Sequence, residues 1–151
     1  MKIVLDLCNG PATLIVPDLL KSMNQEIIVI NEKLDGSFPG HKPEPRPEEI
    51  TQLTQVVKEN NADFGVAFDG DADRAVFVDD KGRILQGEIP IIIFSRDSLL
   101  RNPNSSIVYD IRCSKIVEEE INKNRGVPVV CKTGVSYIIN KMHEVGANYS
   151  G

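Results

Sequence analysis

Short runs of β-branched residues alternate with longer stretches of helical period along the chain. Lys2 to Leu7 is an almost continuous apolar run, the pattern of a strand covered on both faces, and Asn9-Gly10-Pro11 ends it. Ala12 to Met23 predicts a helix with an apolar stripe at Leu14, Ile15, Leu19 and Leu20, in which Pro17 either opens the main helix or kinks it. Glu26 to Ile30 predicts a second strand. Residues 31–47 predict an irregular connection, punctuated by Asp35-Gly36, Pro39-Gly40, Pro43 and Pro45. Pro47 suits the first turn of a helix running to about Asn60, with Glu48 and Glu49 at its positive end and Ile50, Leu53, Val56 and Val57 as its buried face. Asp63 to Phe68 and Arg74 to Val78 predict strands, and Asp79-Asp80-Lys81-Gly82 a hairpin turn from which Arg83 to Leu85 returns. Glu88 to about Arg101, opened by Pro90, predicts a longer helix.

Asn102-Pro103-Asn104-Ser105 then breaks the pattern, and a domain boundary is expected there, with one domain at 1–103 and a second at 104–151. The rhythm restarts with strand Ile107 to Asp110, helix Ser114 to Lys123, strand Val127 to Cys131 and helix Val135 to Glu144. Residues 147–151 resemble the start of another strand. Such alternation argues for an α/β protein with mostly parallel sheets and flanking helices, one complete domain and one truncated domain of similar type.

Composition narrows the function classes. In 151 residues, 41% are hydrophobic, enough for a buried core. A net charge of −5, without any cluster of Lys or Arg, argues against a nucleic-acid partner. The longest apolar run, Ile89 to Phe94, is far short of a membrane span. The N-terminus reaches Asp6 too early for a secretory leader. Cys8, Cys113 and Cys131 show no paired spacing, so the expectation is a cytoplasmic protein whose cysteines are small buried hydrophobes.

The chemistry concentrates in Phe64-Gly65-Val66-Ala67-Phe68-Asp69-Gly70-Asp71-Ala72-Asp73-Arg74, where an apolar strand ends in carboxylates at alternate positions. Asp69, Asp71 and Asp73 repel one another unless a cation joins them. An all-carboxylate set suits Mg²⁺ or Ca²⁺, and no His or Cys nearby favours zinc. Gly70 and Ala72 leave the backbone room to curl the three toward one point. Arg74 beside a cation site makes sense if a phosphate is bridged between them. An EF-hand loop would need Gly where Arg74 stands and Glu where Asp80 stands, with helices in place of strands. A haloacid-dehalogenase-like phosphatase would use Asp69 as nucleophile with a later lysine, for which Lys115 and Lys132 are candidates, and a late acidic pair that is not found. A stand-alone Mg²⁺ or Ca²⁺-binding module is the remaining alternative.

Asp69-Gly70-Asp71-Ala72-Asp73-Arg74 after an apolar strand resembles the metal-binding loop of the α-D-phosphohexomutases, with alanine where glycine is usual. The likeness extends through Asp6-Leu7-Cys8-Asn9-Gly10, Phe38 to Pro45, Val108 to Ser114 and Lys132 to Ile138. It covers the family's second domain and part of its third, stopping before the sugar-binding loop. The resemblance implies phosphate transfer between C1 and C6 of a hexose phosphate through a hexose bisphosphate, with a phosphoserine in another domain and Mg²⁺ as cofactor. It makes Asp69, Asp71 and Asp73 the metal ligands and Arg74 a contact of the transferring phosphoryl group. Arg112 stands at the usual lysine and Val135 at the usual histidine, positions that touch substrate in several members. Arg112 keeps a charge for phosphate but cannot shuttle a proton. Without the phosphoserine domain, these residues alone are expected to be inactive.

Plainer roles are expected elsewhere. His41 reads as a structural or exposed residue and His143 as surface. Asp110 and Ser114 read as helix-capping residues, and Thr133-Gly134 as a cap or an anion contact.

Overall fold

The computed structural model describes residues 1–151, which divide into two compact units, Met1–Leu85 and Gln86–Gly151. The first unit holds β1 (Lys2–Asp6), a 3-10 turn at Pro11–Leu14, α1 (Val16–Ser22), β2 (Glu26–Ile30), α2 (Thr51–Glu59), β3 (Phe64–Phe68) and β4 (Ala75–Asp79). Its sheet has the order β2-β1-β3-β4. β1 runs parallel to both neighbours, and β4 returns antiparallel on β3. β1 is apolar on both faces because both are covered. Val4 packs with Leu53 and Val57 of α2, and with Ala67 and Val78. Ile3, Leu5 and Val66 face the other way and pack with Ala12, Val16 and Leu20.

Two details differ from the pattern along the chain. Leu14, Ile15 and Leu19 are solvent-exposed, while Ala12, Pro17, Val16 and Leu20 turn inward. Pro17 lies in the first turn of α1, so the helix begins anew there, and Ile15 (φ −130°) separates it from the 3-10 turn. A helical period counted across that break is out of phase. In the second helix, Pro47 lies in a preceding turn, closed by the Ile50 amide on the Arg46 carbonyl at 3.2 Å, rather than in α2 itself.

The second unit holds α3 (Glu88–Arg101), β5 (Ser106–Asp110), α4 (Lys115–Lys123), β6 (Val127–Cys131), α5 (Val135–Val145) and β7 (Tyr149–Ser150). Its sheet, in the order β6-β5-β7, is wholly parallel. Ile92 and Leu99 of α3 share a core with Ile107, Tyr109, Val117 and Ile121. The expected boundary after residue 103 is therefore corrected to Leu85/Gln86, because α3 buries its apolar side in the later core. Asn102-Pro103-Asn104-Ser105 is a connection inside that unit, tied down by the Asn104 amide on the Arg125 carbonyl at 3.1 Å. No helix is long and apolar enough to cross a membrane.

These packing assignments predict opposite outcomes for two leucines. Leu53→Ala, at a side chain with no exposure, should cost about 2–5 kcal/mol in urea unfolding. Leu14→Ala, 67% exposed, should stay within about 0.5 kcal/mol of the parent.

Candidate metal centre

The carboxyl ends of β1, β2 and β3 lie side by side, since Asp6 is in register with Ile30 on one neighbour and with Ala67 on the other. Open parallel sheets bind ligands at this edge. Asp69 is the first residue past β3 and is buried, whereas Asp71 and Asp73 face solvent. One carboxylate oxygen from each of the three comes together, all within 4.8 Å of one another. A set of hard anionic oxygens at that spacing fits a divalent cation such as Mg²⁺.

Asp69 is held by Arg74. Its Oδ1 accepts the Arg74 amide at 3.1 Å and its Oδ2 the Arg74 Nε at 2.7 Å. Burial opposes the charge on Asp69, but these two hydrogen bonds, together with one from Asp73 and the Arg74 charge, keep the carboxyl below the usual range. Asp73 moves the other way, pushed up by its hydrogen bond with Asp69 and then by the charge of Asp71. Arg74 favours the charge on Asp69, while Asp73 shares a hydrogen bond with Asp69 and feels the charge of Asp71, so the two carboxyls move apart. Arg74 also lies 3.5 Å from Asp73 and 3.7 Å from Glu44, and its side chain is 59% exposed. Its outer edge therefore keeps donors for an anion.

The loop is pressed against its surroundings. The Gly70 amide donates to the Pro43 carbonyl at 3.0 Å. A Cβ on Gly70 would come within 2.6 Å of Pro43 Cβ, so only glycine fits. Ala72 takes φ +64°, a left-handed conformation that disfavours a side chain.

Three further residues of this edge are not evident from local sequence spacing: Asp6, Asn31 and His41. Asp6 is fully buried at the end of β1, and its Oδ1 accepts the Cys8 amide at 3.1 Å, Asn31 Nδ2 at 2.9 Å and His41 Nε2 at 3.2 Å. His41 is structural, as expected, but it is buried rather than exposed, with 6% of its side chain accessible. Asn9, at φ +53°, clips the connection by donating to the Lys33 carbonyl at 2.7 Å and accepting the Gly40 amide at 3.1 Å. Asparagine just past an apolar strand was the one available hint, because it tolerates the left-handed region. Cys8 is buried, and its thiol is pushed up to about 11, first by burial and then by Asp6 and Asp69. It is no nucleophile in that state. Of the other cysteines, Cys131 is buried and Cys113 only half-buried.

In the second unit, Arg112 reaches back to Asp110, with Nε to Oδ1 and a terminal nitrogen to Oδ2, both at 3.1 Å. Thr133 Oγ1 donates to the same Oδ1 at 2.9 Å. Arg112 above all, with Thr133, pulls Asp110 down to about 2. Arg112 remains 74% exposed, so part of its fork faces outward. The expected capping role is not made: Ser114 sits at the N-cap position of α4, but its hydroxyl donates to Glu88 at 2.8 Å, and Asp110 serves Arg112 and Thr133. Val135, where the resemblance expects histidine, is exposed at the start of α5, and His143 is exposed.

Comparison with known proteins shows the family. Residues 1–82 match the family model for phosphoglucomutase/phosphomannomutase, alpha/beta/alpha domain II, and residues 87–151 match domain III. The chain belongs to the phosphoglucomutase/phosphomannomutase family. It is 38% identical over 151 residues to a phosphomannomutase of Methanocaldococcus jannaschii, covering 99% of the chain and 34% of that protein. It is 40% identical over 152 aligned residues to a phosphomannomutase/phosphoglucomutase of Pseudomonas aeruginosa, covering all of the chain and 33% of that protein. A family structure from Burkholderia thailandensis superposes with a TM-score of 0.96 at 34% identity, over the whole chain and 33% of that structure. The chain thus spans about a third of the length of the relatives it matches.

The strained Ala72 gives a prediction opposite to the usual rule for alanine and glycine. Ala72→Gly should leave thermal stability unchanged or raise it by up to about 1 kcal/mol, as read from the unfolding midpoint.

Proposed function

We propose that this chain forms the cation-binding part of a phosphohexomutase, an enzyme that moves phosphate between C1 and C6 of a hexose phosphate. The observation that carries the reading is the convergence of Asp69, Asp71 and Asp73 at the end of a buried strand, beside an exposed Arg74. A divalent cation, when bound, supplies charge neutralisation and polarises a phosphoryl oxygen. The three aspartates are its ligands. Asp69 is oriented by two hydrogen bonds from Arg74, and Asp71 and Asp73 face solvent, where a phosphoryl group arrives. The free edge of Arg74 donates to a phosphoryl oxygen and balances charge in the transition state. In the other unit, Arg112, oriented by Asp110, offers a cationic fork to a phosphate group.

A haloacid-dehalogenase-like reaction is disfavoured. Both oxygens of Asp69 are engaged by Arg74, which opposes nucleophilic attack. Lys115 is 80% exposed and pairs with Glu119, and Lys132 lies 5.6 Å from the Tyr137 ring. Neither has the environment of a catalytic lysine of that class.

Calorimetric titration with Mg²⁺ tests the reading directly. The protein should bind one ion, and Asp71→Asn should weaken binding by at least about tenfold. A wild-type titration without heat, or an unchanged Asp71→Asn, would refute it. A coupled assay with glucose 1-phosphate or mannose 1-phosphate should show no turnover by these 151 residues alone. They supply ligands and cationic forks but, by the family resemblance, not the phosphoserine.

A further inference from the structure

We propose that His41 is a positioning residue for the cation loop, acting through the Lys42-Pro43 backbone. This rests on the metal reading above and extends it to a residue that touches no ligand. His41 belongs to the irregular connection, in a stretch with no helix or strand of its own. Its side chain is nonetheless buried, with an acceptor opposite each ring nitrogen, and a ring carrying both N–H protons satisfies both. Nε2 lies 3.2 Å from Asp6 Oδ1, and Nδ1 lies 2.7 Å from the Lys42 carbonyl. The ring thus ties a carboxylate at the end of β1 to the backbone of its own connection.

The next carbonyl along the chain, that of Pro43, accepts the Gly70 amide at 3.0 Å. Gly70 lies between two of the three metal-ligand aspartates. The path from buried carboxylate to ligand loop is therefore short: Asp6, His41, the Lys42 and Pro43 carbonyls, then Gly70. The Lys42 side chain offers no substitute anchor, being 82% exposed and reaching only Glu49. Steric contact enforces the same alignment, since Pro43 and the Phe38 ring leave no space for a Cβ at Gly70. Asp6 is held in place by the Cys8 amide and Asn31, so the anchor point does not depend on His41. The Lys42 carbonyl also accepts the Glu44 amide at 2.8 Å and faces Cys8 Sγ at 3.9 Å, and the Lys42 amide donates to Glu49 at 3.3 Å, so removing the imidazole takes away one tie among several, the one that runs through Asp6 to the end of β1, and loosens the Pro43 acceptor that keeps Gly70 in register.

Amide hydrogen exchange and Mg²⁺ calorimetry on the wild type, His41→Ala and His41→Gln test this. In His41→Ala, exchange at the Gly70 amide should rise about tenfold or more, while Val4 and Val66 in the strands keep their protection. Its Mg²⁺ affinity should fall about tenfold, the scale of losing a partner that orients a ligand. His41→Gln, which can still donate to Asp6, should recover part of both and stays informative if the alanine variant folds poorly. Uniform acceleration of exchange, or loosening at Gly70 with unchanged Mg²⁺ affinity, would overturn the proposal and leave the metal reading intact. A wild type that binds no Mg²⁺ would sink the metal reading itself, and this extension with it.

Discussion

Three carboxylates whose oxygens lie within 4.8 Å of one another repel, an arrangement a free chain would relax at once. The first unit is built to prevent that relaxation. β3 is clamped between β1 and β4, with Gly65, Val66 and Ala67 buried, so the start of the loop cannot withdraw. Arg74, where β4 is about to begin, pulls Asp69 inward through two hydrogen bonds. The irregular connection closes over Gly70 through Pro43. Asp69 is held low by Arg74 and Asp73, and Asp73 is pushed up first by its hydrogen bond with Asp69 and then by the charge of Asp71.

A common device recurs at the strand ends. Asp6 ends β1, Asp69 follows β3 and Asp110 ends β5, and all three are buried. Each is paired with a nitrogen of a later side chain: His41 at 3.2 Å, Arg74 at 2.7 Å and Arg112 at 3.1 Å. Asp6 and Asp110 also accept the amide two residues on, an Asx turn that bends the chain away from the sheet. A buried carboxylate without such partners would be costly. With them, it becomes a rigid post at the edge where parallel sheets place their ligands. The outcomes differ with the partner. His41 is itself buried, so Asp6 has a scaffold role, whereas Arg74 and Arg112 keep exposed edges that can meet an anion.

Much of this was readable in the sequence wherever the determining contacts are local. β1 and β3 announce themselves because burial on both faces leaves no polar position between Lys2 and Asp6 or within Phe64–Phe68 to obscure the run. The aspartate loop is legible because its three carboxylates lie within five residues. The Asp6 cluster was not, because Asn31 is 25 residues and His41 35 residues away from it, a distance that periodicity does not span. Of the apolar stripe expected at Leu14, Ile15, Leu19 and Leu20, only Leu20 reaches the core, because Pro17 restarts the helix and resets its phase. The unit boundary was misplaced for a related reason. Asn102-Pro103-Asn104-Ser105 has strong turn chemistry, but turn chemistry marks where an element ends, while the core that α3 joins depends on Ile92 and Leu99 meeting Ile107 and Ile121.

The uneven burial of the three aspartates bears on how the site would work. Asp69 is 1% exposed and doubly hydrogen-bonded, so it enters cation binding already ordered. Asp71 and Asp73 are exposed, on a segment whose Ala72 occupies a strained left-handed conformation. If a cation binds here as proposed, one ligand would be preorganised by the sheet, and two exposed ones would adjust to the coordination geometry of the ion. Mg²⁺ demands near-octahedral geometry and parts with water reluctantly. A loop rigid at all three positions would have to match that geometry without help. One rigid at a single position needs only the correct direction of approach, which Asp69 and the backbone at Gly70 set. The connection at 38–43 therefore belongs to the site as much as the aspartates do, since Gly70 separates the rigid ligand from the adjustable ones.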